Sequence, residues 1–420
     1  MNRIVLIGNG FDLAHRIPTK YEHFIDWYWE QWFQKLRLSN TRIVSDGLCT
    51  FKITSPHETW YSHLWCTVPV INPPKGKDVI ESILNDNNMY EVIQSHLLYR
   101  ICKSIEEKEW VDIENEYYSL LKKTITEPDK CGCTPEMVNN QLRLIQELLA
   151  QYLCSLTMTS VQTNEAIKDI IYQPICMDDI SISGMSHYYE HYSILAGYSG
   201  QEWSDLIRRY GISGDQAIFW GTEIKNFIEK YTYRNQEGKT IILDYNRFPK
   251  QLLRPSVTML LSFNYTFVAD MYCLPQIGFP IHIHGDLQSY NNIIFGYGDE
   301  LDDDYKSFLK LDDNECLRNI KSIKYLESGN YRSMLAFIES APYQIYIMGH
   351  SCGKSDRTLL NTLFEHKNCV SIKPYYYRKE DGSDNYLDIV QNICRNFTDM
   401  KLMRDRVVNK THCEPLPQSK

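Results

Sequence analysis

No stretch of this 420-residue chain approaches the eighteen or so apolar residues that a membrane-spanning helix requires, so no membrane partner is expected. A secretory leader is not expected either: the apolar run at the start, Arg3 to Ile7, is five residues long and meets a glycine turn where a cleavage site would be needed. Cysteine is present, but the patterns that give it a structural role are missing. Thirteen cysteines are scattered without a disulfide-like framework, which fits a reducing cytoplasm. The close pair Cys131-Gly132-Cys133 has no second pair at zinc-finger spacing and reads as a loop thiol pair. Positive charge is also in deficit: 44 Lys and Arg against 53 Asp and Glu give a net charge of -9. That balance argues against a broad phosphate-tracking surface, and nucleic acid is not the expected partner.

What is present starts at the N-terminus. Arg3 to Ile7 is β-branched and apolar, as in a buried parallel strand. It breaks at Gly8-Asn9-Gly10, followed by Phe11 and Asp12, where two glycines permit a sharp turn and expose backbone N–H groups. Strand, glycine turn and helix together are how α/β proteins hold a phosphate at the carboxyl edge of a sheet. The third glycine of a G-x-G-x-x-G fingerprint would fall at Leu13, so the match is incomplete. Glu22 to Leu36 has the aromatic spacing of a largely buried helix, with Phe24, Tyr28 and Trp32 on one stripe.

Thr41 to Lys75 reads as short β-like pieces, Asp78 to Lys123 as helix, and Glu136 to Leu156 as a strongly amphipathic helix. Within the second of these, Asp112 and Glu114 are two apart and do not share a face; they cap or orient neighbours, or are ordinary solvated carboxylates. Thr157 to about Gly238 is polar, tyrosine-rich and helical in pattern. Strand signals then return at Val257 to Phe263, Ile281 to Ile283, Asn292 to Phe295, Gln344 to Met348 and Cys369 to Ile372. Each ends in a polar or glycine-rich loop, which predicts one sheet with its functional edge at the strand C-termini. The organisation expected is a first part of an α/β nucleotide-binding core at 1–40, a mainly helical insertion at 41–240, a second part of the core at 241–405, and a frayed tail at 406–420.

The loops at those strand ends are Gly8-Asn9-Gly10-Phe11-Asp12, Phe263-Asn264-Tyr265-Thr266, His282-Ile283-His284-Gly285-Asp286, Phe295-Gly296-Tyr297-Gly298-Asp299-Glu300 and Gly349-His350-Ser351-Cys352-Gly353-Lys354-Ser355-Asp356. In wording and order this set resembles the abortive-infection AbiH family of bacterial antiphage proteins, over nearly the whole chain. It also resembles, more distantly, the sirtuin NAD-binding motifs. Gly8-x-Gly10 with Ile17-Pro18 is similar to their glycine loop and GIP step. Phe263-Asn264-Tyr265 is similar to the asparagine segment, His284-Gly285 to the catalytic HG, and Gly349-x-Ser351 with Asp356 to the strand end that receives the adenosine half. Departures accompany the likeness: Asp12 stands where sirtuins have serine, Thr266 replaces an aspartate, the arginine after the Pro18 step is missing, and no CxxC zinc module exists.

The resemblance implies a Rossmann-like, sirtuin-like, mostly parallel sheet with a large helical insertion, and a cytoplasmic effector that binds NAD and hydrolyses it to nicotinamide and ADP-ribose. It implies Asn264 and His284 as catalytic residues. Asparagine is an uncharged donor and acceptor for a ribose hydroxyl or a water, and histidine titrates near working pH. Gly8, Asn9, Gly10, Phe11, Asp12, Gly349, Ser351 and Asp356 would bind the dinucleotide. No metal is expected. A phage-derived activator and a homo-oligomer are the partners such an effector calls for.

Other patterns compete. Asn264 after a strand suits a left-handed turn, and of the alternating His282 and His284 one, His282, suits a hydrogen-bonded core position. His187-Tyr188-Tyr189-Glu190-His191 fits an H-x-x-E-H zinc pattern, without a third ligand to name. Gly349 to Gly353 fits a G-x-S-x-G nucleophile elbow, although Asp356 follows too soon for the acid of a triad. The acidic run at Asp299, Glu300 and Asp302 to Asp304 would serve a nuclease, or simply be a solvated loop. A nucleotide-binding sensor that cleaves nothing is the alternative from a different class.

Overall fold

The first strand, β1 (Asn2–Ile7), is buried along its whole length and lies at the centre of a five-stranded sheet. The computed structural model describes residues 1–419 apart from 70–73, 87, 109–110, 157–160, 186–192, 195, 210–214, 245–253, 276–277 and 289–292. The H-x-x-E-H pattern at 187–191 therefore lies outside the described residues. In chain order the remaining strands are β2 (Ile43–Ser45), β3 (Cys49–Ile53), β4 (Tyr90–Gln94), β5 (Thr232–Arg234), β6 (Thr240–Ile242), β7 (Thr258–Ser262), β8 (Gly278–His282), β9 (Tyr343–Met348) and β10 (Cys369–Tyr375).

The central sheet has the order β10-β9-β1-β7-β8, and every pairing in it is parallel. Val5 faces Leu260 on one side and Tyr346 on the other. From β1 the chain adds β7 and β8 outward in one direction, then returns to add β9 and β10 in the other. The reversal falls between β1 and β9, where open parallel sheets leave a crevice at the strand carboxyl ends. Side chains alternate between two apolar layers: Ile4 and Leu6 join Met259, Leu261, Ile345 and Ile347, whereas Val5 and Ile7 join Leu260, Tyr346 and Met348. Both faces are covered, which is why β1, β7 and β9 read as continuous apolar runs.

A second core is helical. The helices α1 (Asn9–Ala14) and α2 (Tyr21–Arg37) follow the glycine turn. The Phe24, Tyr28, Trp32 stripe of α2 is buried together with Trp29 in a cluster that includes Phe51, Tyr117, Leu142 and, from beyond the insertion, Phe295 and Tyr297. Thus α2, expected within the α/β core, buries its face among insertion residues. Fully burying side chains of this size contributes roughly 1.5–3 kcal/mol each.

Several elements differ from expectation. Asp78 to Lys123 is not one helix. It contains the helices Gly76–Asn85, His96–Lys108 and Ile113–Thr126 with β4 between the first two. The break is local: Asp86 Oδ1 accepts from the N–H groups of Asn88 and Met89, a turn that ends the first helix. β4 then pairs antiparallel with β3, and β2 completes a three-stranded sheet. The described part of the expected strand at Asn292 to Phe295 makes no ladder. Ile294 N donates to His284 O at 2.8 Å, and Phe295 turns into the helical core. The tail is not frayed where described. Leu416 is buried beside Ile7, Phe11 and Ala14, Leu416 N donates to Tyr376 O, and Ser419 N donates to Ala14 O, each at 2.8 Å. No described helix is long and apolar enough to cross a membrane.

Candidate functional site

The loops leaving β1 and β9 cross backbone against backbone at the sheet's reversal point. A β-carbon on Gly8 would stand 2.6 Å from His350 Cα, and one on Gly10 would stand 2.8 Å from Gly349 Cα. Gly349 has φ +74, and a β-carbon there would overlap the Phe11 nitrogen. This crossing consumes N–H groups: Gly8 N donates to Met348 O at 3.2 Å, Gly10 N to Gly349 O at 2.8 Å, and Phe11 N to Gly8 O at 2.8 Å. The exposed N–H groups expected to meet a pyrophosphate are therefore directed at protein carbonyls, and close approach is what requires glycine here. Phe11 turns away into the sheet core, edge-on to Tyr272 at 5.3 Å.

Beside the crossing lies a cavity of about 350 Å³. Gly8, Asn9, Gly10, Asp12, Asn264, His284, Gly349, Ser351 and Asp356 all line it, so every site residue expected from sequence except Phe11 reaches one space. The helical core supplies another part of the wall, including Tyr21, Ile105, Val111, Leu149 and Leu153. Apolar walls with a few convergent polar groups are what small-molecule sites present.

Asn264 follows β7. Its side-chain N–H donates to Gly8 O at 3.0 Å, tying the strand end to the glycine turn. His282 packs outside the cavity wall, with Nε2 2.8 Å from Asp270 and Nδ1 3.3 Å from Asn264 O. Burial alone would lower its pKa, but the Asp270 carboxylate outweighs this and raises it. Asp12 accepts from Thr266 Oγ1 at 2.8 Å, while its other oxygen has no hydrogen-bond partner. Burial pushes Asp12 up to about 7, against the pull of the Thr266 hydroxyl.

His284 stands one residue past Ile283, beyond the end of β8. Its Nε2 is 3.2 Å from Asp356 Oδ1 and 3.2 Å from Tyr325 Oη. Nδ1 has no hydrogen-bond partner among the described residues. A carboxylate on Nε2 favours the tautomer with its proton there, leaving Nδ1 an acceptor. Burial lowers His284, Lys321 adds to the lowering and Asp356 opposes both, with a net fall to about 4. Asp356 is a hub, expected as a ligand contact and found in a buried network. Lys321 Nζ lies 2.7 Å from Asp356 Oδ1 and 2.7 Å from Glu114 Oε2, and His350 Nε2 is 3.7 Å from Asp356 Oδ2. Burial would raise Asp356, but Lys321 and His284 outweigh it and hold it well below the usual carboxylate range. Burial pushes Glu114 up to about 8 against the attraction of Lys321.

Lys321 and Glu114 are the site-forming residues that the loop motifs do not single out. Glu114 orients its neighbours, accepting from Gly296 N at 3.0 Å, and Asp112 caps its helix by accepting from Asn115 N at 3.0 Å. The Phe295 to Glu300 motif is the brace: Tyr297 stacks on Tyr118 at 3.8 Å, Tyr297 O accepts from Lys321 N at 2.9 Å, and Gly298 N donates to Ser355 O at 3.0 Å. Its acidic end is spent on ion pairs, Asp299 with Arg357 at 3.2 Å and Asp304 with Lys122 at 2.8 Å. Ser351 is exposed and has no histidine in hydrogen-bond reach among the described residues. The positive-φ residues of its loop are Gly349, at φ 74, and Cys352, at φ 55, and not Ser351, so the nucleophile-elbow geometry is not formed.

These motif loops, gathered on one cavity, coincide with a family. A family model described as bacteriophage abortive infection AbiH matches residues 4–377. The chain belongs to the AbiH family. Membership gives it a role in abortive infection by bacteriophage. No curated protein and no solved structure matches it. In this AbiH protein the matched span begins inside β1 and closes just after β10, so it takes in all of the parallel sheet but the first two residues of β1, together with the cavity and the Lys321 network.

Proposed function

We propose that this AbiH protein is a cytoplasmic effector that binds NAD in the cavity and hydrolyses it to nicotinamide and ADP-ribose. The observation that carries this reading is the convergence of Asp12, Asn264, His284 and Ser351, from four separate segments that follow strands of the sheet, on one cavity at the sheet's reversal point. The nicotinamide–ribose bond breaks with its electron pair leaving on nicotinamide, through a state with positive charge on the ribose. Water adds to the anomeric carbon and its proton passes to His284 Nδ1, while Asp356 on Nε2 holds the ring in the tautomer that leaves Nδ1 open. Asn264 and Asp12 are placed to hold ribose hydroxyls or the water. Because the glycine N–H groups are engaged elsewhere, the exposed lining residues Asn9, Lys20 and Ser351 are the ones offered to phosphate oxygens.

The reading is tested by nicotinamide release from NAD by purified protein, with and without lysate of phage-infected cells as the source of an activator. Release should fall about 100-fold or more in Asn264→Ala and His284→Ala. Retained turnover in both would remove the assigned roles. A binding-only sensor is the second reading, and the low basicity of His284 favours it, since an imidazole near 4 accepts protons weakly at neutral pH. NAD binding without nicotinamide release in any condition, including as an oligomer, would select it.

A further inference from the structure

We propose that Lys321, held by Glu114, is a positioning residue that keeps His284 an uncharged proton acceptor by fixing Asp356 as its ionised partner. This rests on the reading of His284 as the acceptor, but its own readout is independent of turnover. Lys321 is fully buried, and its ammonium sits 2.7 Å from one oxygen of each carboxylate. The Asp356 oxygen it touches is the one that faces His284 Nε2 at 3.2 Å. A proton added to His284 would therefore set a second cation against an oxygen already neutralised by Lys321. Without Lys321, that oxygen would have His284 as its remaining charged partner and would favour the imidazolium.

The arrangement also joins the two cores. Glu114 belongs to the helix Ile113–Thr126, whose apolar face lies in the helical core, whereas Asp356 and His284 stand at the sheet edge. Lys321 is fixed between them by the bond from its N–H to Tyr297 O. The state of His284 thus depends on the helical unit staying seated on the sheet.

Of the other titratable groups facing the pair, His350 lowers His284 as Lys321 does, but by less. From the loop after β9, His350 meets the second Asp356 oxygen at 3.7 Å, and Cys352 stays a thiol because burial raises it. Tyr325, 3.2 Å from His284, stays a phenol for the same reason, as do Tyr21 and Tyr265. From the helix N-terminus, Asp112 is raised by burial.

The test is a histidine-ring NMR titration of the full chain, with His284 assigned through His284→Gln. In the wild type His284 should stay neutral down to about pH 5. In Lys321→Met, and in Lys321→Met with Glu114→Gln, which removes the buried carboxyl left without its lysine should the single variant fail to fold, its midpoint should rise by about one to two pH units. Glu114→Gln alone should not raise it. An unchanged midpoint in the double variant, or a rise in Glu114→Gln equal to that in Lys321→Met, would overturn the proposal as a packing effect. A raised midpoint in a protein that releases no nicotinamide would instead count against NAD hydrolysis and leave the positioning role standing.

Discussion

Gly349 and Phe11 lie so close that a β-carbon on the glycine would overlap the phenylalanine's backbone nitrogen, and the glycine's φ of +74 adds a second bar to any side chain. Two loops separated by most of the chain are thereby held in register over the cavity. Gly349→Ala should cost roughly 2–5 kcal/mol, combining about 1–2 for the left-handed backbone with about 1–3 for overpacking. Gly353→Ala is the control: its φ is -65 and the nearest atom is 3.6 Å from the added carbon, so it should stay within about 0.5 kcal/mol of wild type. Denaturant midpoints of the two variants decide it, and equal stabilities would remove the crossing as the reason for glycine.

Asp12 gives stability a pH dependence of definite sign. Its folded pKa, near 7, is raised above the ordinary 3.8 because burial disfavours the anion. The favourable contribution of the neutral acid is full below the ordinary value and is lost as pH rises through about 7, at up to about 1.4 kcal/mol per pH unit. Asp12→Asn keeps an acceptor for Thr266 and carries no charge, so it should be more stable than wild type at pH 8 by about 1 kcal/mol or more. The difference should close as pH approaches 4. Melting temperatures across that range check it, and a variant equally destabilised at both ends would show that Asp12 is ionised in the fold.

Much of the sheet is legible in the sequence because parallel strands buried on both faces must be continuously apolar. β1, β7 and β9 satisfy this over most of their length, and β10 does so less, with Ser371 and Lys373 inside it. β8 is an edge strand containing Pro280, with Phe279 36% exposed, so only its end, around Ile281, carries the signal. β4 is hidden because Tyr90 to Gln94 alternates between half-buried and exposed residues inside helix-forming sequence. Site residues at strand ends are legible for the same topological reason that brings them together. Lys321 is not: nothing in Asn319-Ile320-Lys321-Ser322 marks it, since its partners are 207 and 35 residues away and a buried lysine is made by tertiary structure alone. The use of the Gly8 and Gly10 N–H groups is equally hidden, because the carbonyls that take them belong to β9 and its loop.

The two candidate ligand-side carboxylate and hydroxyl groups should separate by kinetics. Asp356 is buried with both oxygens engaged, whereas Ser351 is exposed with a free rim position. Asp356→Asn should lower kcat for nicotinamide release by about 10² to 10⁴, through loss of the orienting carboxylate on His284. It should also cost about 3–5 kcal/mol of stability by leaving Lys321 with one partner. Ser351→Ala should raise KM several-fold with kcat within about twofold, as expected for binding that does not change in the transition state. Steady-state kinetics alongside melting curves make the comparison, and the reverse pattern would return Asp356 to a ligand-binding role.

The C-terminal segment should prove part of the fold. Leu416 is 5% exposed and packs where α1 and β1 meet, next to Phe11 and Ala14, and the bond from Ser419 N to Ala14 O fastens the segment to the helix that bears Asp12. Removing a buried leucine side chain costs about 2–5 kcal/mol when the cavity cannot collapse. Leu416→Ala should therefore lower the melting temperature by several degrees, whereas Leu326→Ala, at a position 82% exposed, should leave it nearly unchanged. Because α1 carries Asp12 into the cavity, Leu416→Ala should also make backbone amides of residues 9–14 exchange faster with solvent. Equal melting temperatures for the two leucine variants, with unchanged exchange in α1, would mean that the tail merely rests on the surface.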